Sequence, residues 1–182
     1  MPVWIALLRG INVGGNRPLP MAGFRTLLTG LGYSDVTTYI QSGNAVFSGG
    51  ETAEDIAQEI RQAIAAQFGF EAQVFVLSAR SLDAAIAANP YPQAAADPKT
   101  LHLFFFRNPP NAPSPDLDAL LCEGEAYAVI GTTLYLYTPD GFGRSGFANR
   151  MGRYVNAPTT ARNLRSCIKI AELATAIAAN RA

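Results

Sequence analysis

Arg9-Gly10-Ile11-Asn12-Val13-Gly14-Gly15-Asn16-Arg17-Pro18-Leu19-Pro20 divides two different hydrophobic patterns. Before it, Val3 to Leu8 is an unbroken apolar run, the pattern of a buried strand. After it, Met21, Phe24, Leu27, Leu28 and Leu31 keep helical spacing, with Pro18 and Pro20 at the start and Gly32 at the stop. The stretch is therefore a loop between a strand and a helix, and its composition is that of a binding loop. Its glycines permit unusual backbone angles, its asparagines donate and accept, and Arg9 and Arg17 bring positive charge.

Working outward, Val36 to Ile40 and Ala45 to Phe47 are β-prone runs around Gln41-Ser42-Gly43-Asn44, which predicts a hairpin. Ile56, Ile60, Ile64 and Phe68 recur every four residues behind Thr52 and Asp55, a capping-box-like start, and predict a helix over 52–68. Gln73 to Leu77 adds a fourth strand. Residues 1–78 thus read β-α-β-β-α-β, the order of a ferredoxin-like half. The remainder, 79–182, follows much the same order. A short helix over 81–88 precedes a strand over 101–106, and a proline-rich connector, 108–115, leads to a helix over 115–122. A second hairpin, 127–130 and 133–137, turns at Gly131-Thr132. The last helix is predicted from about Thr160 to Ala178. The expectation is an α+β chain of two ferredoxin-like halves, 1–78 and 79–182, related by internal duplication.

At 182 residues with no net charge, the composition is that of a globular chain and supplies no global field toward nucleic acid or membrane. Charge is nonetheless local. Arg144, Arg150, Arg153, Arg162, Arg165 and Lys169 cluster with no acid between Asp140 and Glu172. With Thr159 and Thr160 as caps, Arg162 and Arg165 would lie in the first turn of the last helix, where positive charge is favourable only opposite an anion. Solvation of both arginines explains the pattern equally well. Cys122 and Cys167 lack metal or redox spacing and read as core thiols. The N-terminus reads as a strand rather than a leader and no apolar run reaches membrane-spanning length, so the expectation is a cytoplasmic protein with no membrane partner.

Three segments together carry a resemblance: Leu8-Arg9-Gly10-Ile11-Asn12-Val13-Gly14-Gly15, Thr38-Tyr39-Ile40-Gln41-Ser42-Gly43-Asn44 and Thr159-Thr160-Ala161-Arg162-Asn163. In that order and spacing the chain resembles the bacterial family of the domain of unknown function numbered 1697. The resemblance implies two ferredoxin-like halves and no assigned activity. That family's last motif usually reads Thr-x-Arg-Asn-Trp-x-Thr; here Leu164 stands for the tryptophan and Ser166 for the second threonine.

The chemistry points to a small anionic ligand, a nucleotide or phosphorylated metabolite. Arg9, Arg17 and Arg162 would neutralise it, Asn12 and the N–H groups near Gly14 and Gly15 would cradle it, and Tyr39, Gln41, Ser42, Asn44, Thr160 and Asn163 would orient its neutral part. On this reading the loop, the turn and the start of the last helix converge on one site. The glycine spacing matches neither a P-loop nor a dinucleotide fingerprint, so no cofactor is named. Nucleic-acid binding is the alternative, with Trp4 and Phe47 on the strands that an RNA-recognition fold uses for stacking. A second alternative is an enzyme using Ser42 or Tyr39 with arginine electrostatics and no metal. The single histidine, His102, lies in an apolar strand run, where a structural role is expected.

Overall fold

The computed structural model describes residues 1–111, 115–155 and 157–180. Of the proline-rich connector, residues 112–114 lie outside the described residues. The chain forms two compact units, Met1–Asp83 with the chain from Lys169 on, and Ala84–Ile168.

The first unit contains β1 (Val3–Arg9), α1 (Met21–Gly30), β2 (Ser34–Tyr39), β3 (Asn44–Ser48), α2 (Ala53–Phe68) and β4 (Gln73–Ser78). Its antiparallel sheet has the order β2-β3-β1-β4. The pleat sends Ala6, Leu8, Ala45, Phe47 and Val74 to one face, where they form a core with Phe24, Leu28, Ile56, Ile60 and Ile64 of α1 and α2. The four-residue isoleucine spacing of α2 is the cause: it lines one face of a helix, and that face is buried. Thr52 caps α2 by accepting from the Asp55 N–H at 3.1 Å, and Gly69 ends it at φ 76°. On the opposite face of the sheet Ile5, Leu7, Val46 and Phe75 are buried as well.

The second unit follows α3 (Ala79–Ala87) with β5 (Leu101–Phe106), α4 (Pro115–Asp118), β6 (Ala126–Ile130), β7 (Thr133–Tyr137), α5 (Gly146–Tyr154) and β8 (Thr159–Asn163). Its antiparallel sheet, β6-β7-β5-β8, repeats the neighbour order of the first. Phe104, Phe106, Leu134 and Leu136 pack against Leu117, Phe147 and Met151. The chain closes with α6 (Leu164–Ala179).

Three local expectations are corrected. The last helix begins at Leu164, not Thr160, because Thr159 to Asn163 pair with β5 as a strand suited to β-branched threonines. The helix expected over 115–122 stops at Asp118, where single turns replace it. Cys122 is exposed, while Cys167 is buried as expected. Helix α5 was not expected: its sequence Gly-Phe-Ala-Asn-Arg-Met-Gly-Arg-Tyr holds two glycines, although Phe147 and Met151 keep helical spacing.

Candidate functional site

β1 delivers Arg9, exposed, to the end of the first sheet. The chain then forms a miniature hairpin rather than an open cradle. The Asn12 N–H donates to the Arg17 carbonyl at 3.1 Å and the Asn16 N–H to the Val13 carbonyl at 3.0 Å. Gly14 and Gly15 occupy the tip at φ 57° and 76°, as a two-residue type I′ turn requires. Their N–H groups have no protein acceptor among the described residues, and nothing approaches within 4 Å of where a Cβ would stand on either. The arm folds back, so that Arg17 Nη1 lies 3.4 Å from the Cβ position of Gly10. Arg17 has no carboxylate partner among the described residues.

Asn12 holds this hairpin in place. Its backbone is left-handed, φ 54°, a conformation asparagine tolerates better than most residues. Its side chain accepts from the Leu19 N–H at 2.8 Å and donates to the carbonyls of Leu19 at 3.0 Å and Gln41 at 2.9 Å. Ile11 and Leu19, both buried, anchor the two legs in the core.

The Gln41 bond joins the loop to the turn between β2 and β3. Gly43 seals the junction: its carbonyl accepts from the Leu8 N–H at 2.8 Å, and a Cβ there would stand 2.6 Å from Ile11 Cδ1 and 2.8 Å from Leu8 Cβ. Gln41 and Ser42 are exposed and Tyr39 is half-buried. Asn44 is wholly buried; its amide donates to the Tyr39 carbonyl at 3.0 Å and Ser42 Oγ at 2.9 Å, which shapes the turn from beneath. Lys169 of α6 was absent from the sequence-derived site. Its ammonium is raised in pKa first by the hydrogen bond to Glu172, 2.8 Å away, and last by Tyr39, which places it near this end of the unit. Nothing short of the fold could have paired residues 130 positions apart in sequence.

The third segment belongs to the second unit. Thr159 donates to the Phe105 carbonyl at 2.9 Å across the β5–β8 pair. Arg162 lies on β8 rather than on the helix, only 9% exposed, and donates to Thr160 Oγ1 at 3.0 Å and the Ala161 carbonyl at 2.7 Å. Burial pushes its guanidinium down to about 10 and the neighbouring Cys167 thiol up to about 12. Asn163 is the cap of α6, its Oδ1 accepting from the Ser166 N–H at 2.8 Å, and the Arg165 N–H donates to the Pro98 carbonyl at 3.2 Å. Two of the first N–H groups of α6 therefore already have protein acceptors. Leu164, where the family pattern carries tryptophan, is buried.

The stacking residues considered for nucleic acid are occupied otherwise. Phe47 is fully buried and Trp4 packs against the same core. His102 stacks on Phe142 with ring centroids 3.9 Å apart, and its Nδ1 is buried without a hydrogen-bond partner among the described residues. Burial pushes that imidazole down to about 4. Among the described residues, no group of three or more His, Cys, Asp or Glu side chains could hold a metal ion, and no helix is long and apolar enough to cross a membrane. Two concavities lie elsewhere, a cleft of about 170 Å3 lined by Arg107, Asn108 and Pro158, and an open groove of about 670 Å3 lined by Arg25, Thr29 and Val36.

The chain is similar in structure to the conserved bacterial protein SP0830 from Streptococcus pneumoniae, with a TM-score of 0.73 over 95% of this chain and 98% of that one. At 22% identity this likeness shows the fold alone. No curated protein matches the chain. The sequence model described as "Protein of unknown function (DUF1697)" matches residues 1–135, a span that includes the loop and the turn, and the chain belongs to that family.

Proposed function

We propose that the first unit binds a small anion, a nucleotide or phosphorylated metabolite, on the rim formed by Arg9, Arg17, the Gly14 and Gly15 N–H groups, Gln41 and Ser42. The observation that carries this reading is the tie between loop and turn: the Asn12 amide on the Gln41 carbonyl, with Gly43 seated between Leu8 and Ile11. It fixes cationic and neutral hydrogen-bonding groups at one strand end, so a ligand meets a preorganised surface. The rim is drawn on the first unit alone; in the second, Arg162 donates to Thr160 Oγ1 and the Asn163 side chain caps α6. Asn44 supports the turn instead of touching the ligand.

Each half is read as a ferredoxin-like repeat from an internal duplication, supported by the identical strand order of the two sheets. The two free thiols favour a reducing, cytoplasmic location.

The test is thermal shift against nucleotides, sugar phosphates and inorganic anions, comparing the wild type with Arg17→Gln. A ligand at about 100 times its Kd adds roughly 2.7 kcal/mol, which for this chain length is roughly 5–11 °C. Arg17 is the right position to vary. Arg162 is buried, so its loss would report on folding as well as on ligand. A panel without a stabilising anion, or one whose hits survive Arg17→Gln, rejects the reading.

A further inference from the structure

Ile40 is placed against its own interests twice. It adopts the left-handed conformation, φ 47°, although a β-branched side chain crowds its backbone there, and it is still 50% exposed. Asparagine or glycine would make the same turn without strain. Strain at an exposed side chain contributes nothing to the fold and marks a group kept for what it touches. A second apolar side chain stands across the same junction: Val13, 65% exposed, follows Asn12, whose amide holds the carbonyl of Gln41, the residue after Ile40.

We infer that the ligand on this rim is a nucleoside phosphate, with its base against Ile40 and Val13, its base edge read by Gln41 and Ser42, and its phosphates at Arg17 and the Gly14–Gly15 amides. The anionic half of this inference rests on the reading above; the base is what it adds. Bare phosphate or a sugar phosphate has no apolar surface that would gain from two aliphatic side chains held in water. A nucleobase has flat apolar faces and a polar edge carrying both donors and acceptors. The glutamine amide and serine hydroxyl offer both in return. Positive charge from Arg17, folded over Gly10, and the N–H groups at the Gly14–Gly15 tip of the same hairpin would complement a small polyanion.

Calorimetric titration of the full chain separates the two layers. The probes are inorganic pyrophosphate, ribose 5-phosphate, the adenosine, guanosine, cytidine and uridine diphosphates, and an eight-residue oligouridylate. At least one nucleoside diphosphate is expected to bind about tenfold tighter than pyrophosphate or ribose 5-phosphate. Ile40→Gly relieves the strain, so it should melt no lower than wild type, yet bind that nucleotide about tenfold more weakly with pyrophosphate unchanged. Val13→Ser, at an open tip, should weaken the nucleotide in the same selective way. Pyrophosphate binding as tightly as every nucleotide, or both variants binding nucleotides like wild type, removes the base while leaving the anion site. An Ile40→Gly variant that melts lower would show that Ile40 serves packing, which removes the strain argument. Oligouridylate binding more tightly than any diphosphate, with steep salt dependence, would make the occupant a strand instead. No binding by any probe, or binding indifferent to Arg17→Gln, overturns the anion site and the base together.

Discussion

Gly43→Ala tests the junction on which the candidate site depends. Two costs act at this position. An L-residue at φ 78° is left-handed, at roughly 1–2 kcal/mol. The new methyl would also stand 2.6 Å from Ile11 Cδ1 and 2.8 Å from Leu8 Cβ. Ile11 can rotate or shift, but Leu8 Cβ is fixed to a central strand, so overpacking adds about 1–3 kcal/mol. The lower entropy of the unfolded alanine chain offsets about 0.4–1 kcal/mol. The net loss is about 1–5 kcal/mol, centred near 3, or roughly 6–12 °C in Tm at that centre for a chain of this length.

Gly15→Ala supplies the control. Its φ, 76°, is nearly the same, yet nothing lies within 4 Å of its Cβ position. It should lose only about 1 kcal/mol, or roughly 2–4 °C. Differential scanning calorimetry on both variants reads the difference directly. Two variants melting within about 1 °C of each other would refute the claim that loop and turn are in tight contact. Ile11→Ala and Gly43→Ala together should lose less than the sum of the two single losses, since Ile11→Ala removes one of the two clashing partners.

Asn12→Ala removes one accepted and two donated hydrogen bonds and leaves alanine left-handed, so urea unfolding should show a loss of about 2–4 kcal/mol. Asn163→Ala removes the cap of α6 and should lose about 1 kcal/mol in the same assay, with Asn163→Asp or Asn163→Ser recovering most of it. His102 is neutral in the folded chain until about pH 4, whereas the unfolded imidazole takes its proton near 6.5. Between those values the unfolded state binds more protons, so stability falls as pH falls from 6.5 toward 4, by about 3 kcal/mol across the window. His102→Leu should flatten that part of the stability profile measured by urea unfolding from pH 4 to 7, and an unchanged slope would show that other groups cause it.

The first unit was legible because its signals are local and agree with one another. The isoleucines of α2 repeat at helical spacing, Thr52 and Asp55 form the box that starts it, and Gly69 stops it. Each feature points to the same element, and the tertiary structure has only to accept it. The second unit was read less well where local signals are weak or opposed. Helix α5 is short and holds two glycines, which oppose the helical spacing of Phe147 and Met151, both buried in the core. Thr159 to Asn163 joins smoothly to a helical pattern, and only the partner strand β5, more than fifty residues away, makes it a strand. Amphipathic periodicity sees the helix and cannot see the strand partner.

The arginines show that residue type alone does not say where a side chain is carried. Arg9, Arg17 and Arg162 are the same side chain beside similar small polar neighbours, and the sequence gives no reason to treat them differently. Their fates are set by what their backbone must do. Arg9 ends a strand and Arg17 returns from a two-residue turn, so both are carried out to the rim. Arg162 lies inside a strand, where alternation sends it to a buried face and its guanidinium must find acceptors in the protein, Thr160 Oγ1 and the Ala161 carbonyl. An arginine that bonds to its own strand rigidifies that strand. An arginine held over a glycine, without a carboxylate partner among the described residues, is complementary to an anion. The proposed site is accordingly drawn on the exposed arginines of the first unit, Arg9 and Arg17.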